Sequence, residues 1–362
     1  MTSRLWTLTA AILCAFALLP GAAAAKFEKS IWGPWELPAG TASCPTVSKP
    51  CSAFPIYRDL GVDVYQFQIH WDEIAPTRPA HPRDPNDPAY RWEGIDLIVN
   101  EAYRNGVGLA ALVQRSPGWA NGGRSPSWAP KNPKRFADFL FAASKRYPTI
   151  RRWMIWGEPA RAENFQPMRR GNPKGPRLYA TLLDTAYGAL KKASKANVVI
   201  GGMTLNGGTI RPPDFIRWLK TKKGRPPRMD VWGHNPFDAR FPKLADKPLG
   251  TFRGFNDIDT LHDEIKRAYK PAHLKVPRLW LSEWTIVSDR PLPLFSGFFV
   301  SRQSQAQRLN AAYTIARRTP YVAGLGWFTL IDQTEKEGGA GWGLLDAGGK
   351  PKPSFNAYSR LP

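Results

Sequence analysis

Alternation between short apolar runs and amphipathic segments constrains the fold of this chain more than any other feature. The apolar runs are too short for helices and rich in the aromatic and β-branched residues that favour strands. Strands are predicted over residues 30–35, 62–71, 107–113, 153–156, 197–203, 229–236, 277–284 and 322–330. Helices are predicted over residues 55–60, 92–105, 133–147, 178–196, 214–222, 258–269 and 301–318. This β-then-α order predicts an α/β protein, a single (β/α)8 (TIM) barrel.

Two of the predicted strands end in a lone glutamate between aromatic residues. Residues 153–156 lead into Glu158 and Pro159, and the proline stops the strand because it has no N–H to donate. Residues 277–284 end around Glu283. The carboxyl ends of parallel strands meet at one mouth of a barrel, where such folds keep their chemistry. An alternative for Glu158 is a structural role, as a helix cap or as an ion-pair partner of Arg161.

A pair of carboxylates at the mouth of a barrel suits the hydrolysis of a glycosidic bond. One carboxyl group protonates the leaving oxygen, and the other attacks the sugar carbon. Other chemistries lack their motifs, since the sequence has no His-Glu-x-x-His, Gly-x-Ser-x-Gly or phosphate-binding loop. We therefore expect a carbohydrate substrate, with no metal and no cofactor.

The amino terminus is predicted to be a signal peptide over residues 1–25. Arg4 supplies a positive start, residues 5–19 are apolar, and small residues lead up to a cleavage site near Ala25. An uncleaved membrane anchor is the alternative. Cleavage there would leave a single catalytic domain over residues 26–362. We expect this domain to be secreted or associated with the cell envelope. In that oxidising compartment, Cys44 and Cys51 are expected to form a disulfide.

The chain is strongly basic. Its 51 Lys and Arg residues against 29 Asp and Glu residues give a formal net charge of +22. Such a charge favours anionic surroundings and predicts an anionic cell-envelope polymer as a further partner. The basic residues are scattered and accompany no nucleic-acid-binding signature, so a nucleic-acid partner is not expected.

The order and spacing of several short motifs resemble the clan A retaining glycoside hydrolases, nearest to families 39 and 5, over essentially all of the mature chain. Gly157-Glu158-Pro159 resembles the Asn-Glu-Pro motif that ends strand four in that clan, and Glu283 stands where its strand-seven glutamate does. Further likeness comes from Trp92-x-x-Ile95-Asp96, Pro117-Gly118-Trp119, Trp327, and the tail segments 343–346 and 350–353.

The resemblance implies roles for particular residues. Glu158 is expected to be the acid/base, Glu283 the nucleophile, and Trp327 the floor of the sugar subsite. Further substrate-binding candidates near the predicted strand ends are His70, Trp119, Asn206, His234, Asn235 and Trp284. For the two histidines a purely structural role remains open, and for His234 this is a bond to a backbone group at the end of its strand.

Two positions depart from the clan pattern. Gly157 replaces the asparagine that usually binds the sugar 2-hydroxyl, so Asn206, Asn235 or Gln114 would have to take over that contact. Phe237 stands where the clan commonly has a tyrosine that touches the nucleophile. These departures motivate the alternative of a non-catalytic carbohydrate-binding barrel of the cell envelope. A further alternative is a transglycosylase, in which a sugar hydroxyl replaces water.

Overall fold

A closed barrel of eight parallel strands forms the centre of the molecule. The computed structural model describes residues 26–48, 51–245, 247–289 and 297–362. The barrel strands are β1 Glu28–Trp32, β2 Val64–His70, β3 Gly108–Gln114, β4 Arg152–Ile155, β5 Val198–Leu205, β6 Val231–Asn235, β7 Arg278–Trp284 and β8 Val322–Phe328. Each strand pairs with the next along the chain, and β8 closes the barrel on β1. The predicted fold class is confirmed.

Helices surround the barrel and follow the strands in turn. They are α1 Phe54–Asp59, α2 Glu93–Arg104, α3 Pro133–Arg146, α4 Lys174–Ala193, α5 Pro212–Trp218, α6 Ile258–Tyr269, α7 Arg302–Arg318 and α8 Pro353–Ser359. The predicted bounds differ by a few residues where proline acts. The first helical turn of α4 accommodates Pro176, so α4 begins four residues earlier than predicted. In contrast, β1 ends at Trp32 because Gly33 and Pro34 follow it.

Apolar side chains alternate between the two faces of the strands and form two cores. The larger core lies between the strands and the helices. The smaller core fills the barrel with side chains such as Trp32, Val64, Leu112, Met154 and Trp280. The barrel interior is therefore packed, and barrels of this kind keep their ligand sites at the carboxyl-terminal mouth.

A disulfide joins Cys44 and Cys51 in the loop after β1. It lies beside a two-stranded antiparallel pair, Glu36–Leu37 with Cys51–Ser52. The predicted signal peptide, residues 1–25, lies outside the described residues. Within the described ranges, no helix combines the length and the apolar character needed to cross a bilayer.

Candidate active site

A tight turn after β4 directs Glu158 toward the barrel mouth. The strand ends at Ile155, and Trp156 and Glu158 both have positive φ, 62° and 44°. Side chains other than glycine rarely adopt such angles, and residues that do so cluster at functional sites. Trp156 is fully buried and its Nε1 donates to the carbonyl of Asn164 at 2.8 Å, which anchors the turn.

Three side chains donate hydrogen bonds to the carboxylate of Glu158. Asn235 Nδ2 lies 2.9 Å from Oε1. Arg161 Nη1 lies 2.9 Å from Oε2, and Asn164 Nδ2 lies 3.5 Å from the same oxygen. The ion pair with Arg161, which the sequence offered as a purely structural alternative, therefore exists. It exists inside the cavity that also holds Glu283, so the pairing and a functional role are compatible.

A register shift in β7 turns Glu283 into the barrel mouth. Leu281 pairs with Leu325, but the next pair is Trp284 with Trp327. Two residues of β7 therefore face one residue of β8, as in a β-bulge, which re-aims side chains. Glu283 lines the cavity as a result.

Buried polar side chains fix the backbone at this bulge. The carbonyl of Ser282 accepts from Trp32 Nε1 at 2.9 Å and from Gln66 Nε2 at 2.8 Å. Gln66 Oε1 accepts in turn from Trp280 Nε1 at 2.8 Å. The hydroxyl of Ser282 donates to the side-chain oxygen of Asn235. This bond orients the Asn235 amide nitrogen toward the two glutamates.

Burial, and then the negative charge of Glu158, raise the pKa of Glu283 to about 8. A hydrogen bond from Asn235 and the charge of Arg161 oppose this effect. Phe237 lines the same cavity and supplies no hydroxyl, as its sequence position suggested. Burial and the charge of Glu158 therefore favour the protonated form of Glu283 in the free protein.

The two glutamates lie in a cavity of about 730 Å³ at the carboxyl-terminal mouth. One part of its lining is polar and consists of Gln68, Gln114, Glu158, Arg161, Asn164, Asn206 and Glu283. The apolar part includes Trp32, Leu112, Phe237, Phe298, Phe328 and Trp342. Phe298 packs against both Phe237 and Trp342, at ring-centroid distances of 6.2 and 6.0 Å. The cavity thus offers hydrogen-bonding groups beside a continuous aromatic wall.

Two of the predicted polar candidates lie in or at this cavity. Asn206 lines it, with its Nδ2 donating to the carbonyl of Phe237 at 2.6 Å. Asn235 is buried and contacts Glu158 and Glu283. Both residues are placed to act on a ligand or on the carboxylates.

The predicted histidines do not line the cavity. His234 is fully buried, with one ring nitrogen 2.8 Å from Thr204 Oγ1 and the other 2.7 Å from the carbonyl of Arg253. Burial lowers the pKa of His234 to about 4, so it is neutral and structural. His70 is not among the lining residues, and its Nε2 lies 2.7 Å from Oε1 of the lining residue Gln68.

Two of the tryptophans predicted to bind sugar, Trp327 and Trp284, do not line the cavity. Trp327 and Trp284 are buried in the outer core and pack on each other at 5.7 Å. Trp327 pairs with Ile31, which also faces outward, and successive strand residues point to opposite faces. Its neighbour Phe328 therefore points into the cavity instead.

Trp119 also lies outside the set of residues that line the cavity. Its ring packs edge-on against Trp71 at 5.4 Å, and its Nε1 donates to the carbonyl of Ala75 at 2.8 Å. Trp119 thus anchors the loops after β2 and β3 to each other.

Gln114 occupies the space beside Gly157. A Cβ at position 157 would lie 3.0 Å from Gln114 Oε1 and 3.1 Å from Leu112 Cδ2. The same oxygen accepts from the Gly157 N–H at 3.3 Å, and Gln114 Nε2 donates to Gln68 Oε1 at 2.9 Å. The Gln114 amide therefore stands next to the position from which the clan's asparagine would project.

Sequence reasoning missed several lining residues. Arg161 and Asn164 follow Glu158 closely in sequence, and that proximity was the available signal. Phe298 and Trp342 come from loops after β7 and β8, and no periodicity marks them. Across the described residues, no group of three or more His, Cys, Asp or Glu side chains could hold a metal ion.

Comparison with known proteins identifies the fold. No protein-family model and no curated protein sequence matches the chain. Solved structures with the same fold include a family 39 glycoside hydrolase from Bacteroides cellulosilyticus WH2, with 17% identity and a TM-score of 0.62. Another is a glucosidase from Croceicoccus marinus, with 15% identity and a TM-score of 0.64. A third is a monomeric beta-xylosidase from Caulobacter crescentus CB15, with 17% identity and a TM-score of 0.59.

These alignments cover 92% of this chain and 63%, 65% and 67% of the three other chains. The chain thus spans about two thirds of the length of the proteins it resembles. At this level of identity the likeness establishes a shared (β/α)8 barrel. The fold implied by the sequence resemblance is confirmed, and the chemistry has to be argued from the site itself.

Proposed function

We propose that the protein is a retaining glycoside hydrolase that cleaves β-linked O-glycosidic bonds of an oligo- or polysaccharide. One observation carries the proposal. Glu158 and Glu283 line the same open cavity at the carboxyl-terminal mouth, and the buried Asn235 amide donates to Glu158 Oε1 at 2.9 Å. The charge of Glu158 also raises the pKa of Glu283, so the two carboxyl groups lie close together. Retaining enzymes need such proximity, roughly 5–5.5 Å, whereas inverting enzymes hold them roughly 6.5–9.5 Å apart.

The proposed reaction has two displacements. Glu283 attacks the anomeric carbon while Glu158 protonates the leaving oxygen, which gives a covalent glycosyl-enzyme. Glu158 then removes a proton from water, and the water oxygen displaces Glu283 with net retention. Asn235 holds both carboxyl groups at the reacting centre through its amide. This sequence requires the ionised form of Glu283, so substrate binding has to lower the pKa that burial raises.

The aromatic wall supports a carbohydrate ligand. Phe328, Trp342 and Phe298 line the cavity together with its polar residues and pack on one another, and sugars pack their apolar C–H faces on aromatic rings. Solved glycoside hydrolases with the same fold add support at the level of architecture.

The variant Glu158→Ala tests the assignment of the acid/base. With a 2,4-dinitrophenyl β-glycoside, whose leaving group needs no proton, this variant is expected to form the glycosyl-enzyme and then stall. Added azide should restore turnover, since this small anion occupies the vacated space and needs no general base. Product analysis by NMR should then identify a β-glycosyl azide.

An α-glycosyl azide would overturn the retaining assignment of Glu158 and Glu283. The alternative of a non-catalytic binding barrel would be established by two results together. The wild type would not cleave polysaccharide, and wild type and Glu158→Ala would bind polysaccharide equally. Gly157 and Phe237 favour that alternative, because neither supplies the polar contact of its clan counterpart.

Transglycosylation is a second candidate, and the apolar lining favours it. A hydrophobic acceptor held by Phe237 and Phe298 beside the glycosyl-enzyme would compete with water. Product analysis in the presence of aryl alcohols distinguishes the reactions, since a transglycosylase yields new aryl glycosides and a hydrolase yields free sugar.

We also propose that the protein is exported after cleavage near Ala25 and is retained by an anionic envelope polymer. The disulfide between Cys44 and Cys51 supports an oxidising compartment, and the net charge of +22 supports retention. Expression in a secreting host should give protein whose mass, after disulfide formation, matches residues 26–362. Full-length protein found in the membrane fraction would instead establish an uncleaved anchor.

A further inference from the structure

Arg161 lines the cavity beside Glu158, the proposed proton donor. Among the described residues that line the cavity, it carries the only positive charge. Its Nη1 donates to Glu158 Oε2 at 2.9 Å, and its Nε lies 3.7 Å from Glu163 Oε2. The side chain is 41% exposed. A guanidinium has five N–H donors in a planar fork, so Arg161 retains donors for a ligand in the cavity.

The ion pair opposes the first step of the proposed reaction. It favours the charged form of both partners, whereas Glu158 has to carry a proton when the glycosidic bond breaks. Burial and the charge of Glu158 meanwhile raise the pKa of Glu283 to about 8, although Glu283 has to be ionised in the same step. In the free protein, burial and the neighbouring charge of Glu158 therefore favour the protonated form of Glu283. Productive binding has to move that proton to Glu158.

We propose that Arg161 binds an anionic group of the substrate and that this contact releases Glu158 to act as the acid. This inference rests on the proposed function. The substrate class is then an acidic sugar. The two sources of the negative charge are the carboxylate of a uronic acid and a sulfate ester. The carboxylate is favoured, because its two oxygens match two parallel N–H groups of a guanidinium.

The exchange of partners accounts for the proton balance. When the ligand anion takes the guanidinium donors, Glu158 loses its counter-ion and gains a negative neighbour, and both changes favour its protonated form. The proton leaves Glu283 for Glu158, so none is taken up from solvent. Glu283 then forms the bond to the anomeric carbon, and the proton on Glu158 goes to the leaving oxygen as the glycosidic bond breaks.

The charges around Arg161 permit an anionic ligand. The acidic groups that face it are Glu158 and Glu163 on its own loop and Glu283 from β7, and Asn164, which lines the same cavity, is neutral. When Glu283 is protonated, the charges of Glu158 and Arg161 cancel among the residues that line the cavity. Glu163 lies outside this lining and is 69% exposed, so water screens its charge. The cavity then presents no net negative charge, within a protein whose overall charge of +22 attracts anions.

The test compares aryl β-glycosides that differ only at the C5 substituent: a glucuronide, a glucoside, a xyloside and a glucoside 6-sulfate. Wild type is expected to show a kcat/KM at least tenfold higher for the glucuronide than for the glucoside. Arg161→Gln should lose about 100-fold on the glucuronide and lose little or gain on the glucoside, because Glu158 no longer has its counter-ion. Arg161→Lys should recover only part of the kcat/KM on the glucuronide. The control changes Arg170, an exposed arginine of the same loop, and Arg170→Gln should behave as wild type.

Each of the other outcomes shows which of the two proposals, the anionic site or the hydrolase function, has failed. Efficient turnover of neutral glycosides, with no Arg161-dependent preference for acidic ones, overturns the inference and leaves the hydrolase proposal intact. A preference for the 6-sulfate over the glucuronide overturns the assignment of a uronic acid. If no aryl glycoside is turned over, calorimetry of glucuronate and galacturonate oligomers with Glu283→Gln, with and without Arg161→Gln, decides. Arg161-dependent binding supports the anionic site and overturns hydrolysis, and its absence overturns the anionic site.

Discussion

Glu283→Gln is expected to abolish turnover and at the same time to stabilise the folded protein. The nucleophile forms the covalent intermediate, so its loss should lower kcat by roughly 10⁴-fold or more. The stability gain has a different origin. Burial and the charge of Glu158 raise the pKa of Glu283 to about 8, so the fold resists a charge that the unfolded chain accepts freely.

The sign of the pH dependence follows from this raised pKa. Between pH about 4.5 and about 8 the folded protein holds a proton on Glu283 that the unfolded chain has released, so the free energy of unfolding of the wild type falls as pH rises. Glutamine stays neutral throughout. The stabilisation of Glu283→Gln should therefore be near zero at pH 4.5 and reach roughly 4–5 kcal/mol at pH 8.5. Thermal and denaturant unfolding across this range measure it.

A matched control separates this effect from a general loss of charge. Glu93→Gln changes an exposed glutamate in the first turn of α2 and should alter stability by no more than about 0.5 kcal/mol, with no effect on kcat. If Glu283→Gln were less stable than wild type at pH 8.5, the raised pKa of Glu283 would be refuted.

Gln114→Ala is expected to lower kcat by roughly 10²–10³-fold if the proposed function holds. The resemblance implies that an asparagine at position 157 would bind the sugar 2-hydroxyl in the transition state, a contact that glycine cannot make. Gln114 is the amide nearest to that space, within 3.0 Å of a Cβ built at position 157. Loss of one donor that acts in the transition state costs about this factor.

A 2-deoxy glycoside isolates the contact. Wild type should cleave the parent substrate far faster than its 2-deoxy analogue, and Gln114→Ala should nearly erase that difference while KM changes little. An equal loss on both substrates would show that Gln114 only supports the Gly157 backbone, whose N–H it accepts at 3.3 Å.

The most direct form of this experiment moves the amide from position 114 to position 157. Gly157→Asn alone should be inactive or unstable, because its Cβ meets Gln114 at 3.0 Å and Leu112 at 3.1 Å. Combined with Gln114→Ala, which opens the space, Gly157→Asn should recover at least tenfold in kcat over Gln114→Ala. The control is Gln114→Ala with Gly157→Ala, which adds the Cβ without an amide. Equal activity of both double variants would rule out the proposed substitution of one amide for the other.

The sequence by itself predicted the barrel, because the order and length of apolar runs are local properties and few architectures satisfy eight consecutive β-then-α units. It also predicted that Glu158 and Glu283 would share a mouth, since parallel strands end on the same side. The structure brings both residues into one cavity. Their chemical roles stay predictions until the variants are measured.

Only the tertiary structure decided which side chains face the cavity. The bulge at Ser282 and the positive φ of Glu158 are imposed by pairing and packing between strands, and no local pattern encodes them. Because strand side chains alternate with a period of two, the phase of β8 excluded Trp327 and selected Phe328. The ion pair of Glu158 with Arg161 could be anticipated as a contact from sequence. Its place beside Glu283, which gives it chemical meaning, required two strands 125 residues apart to meet.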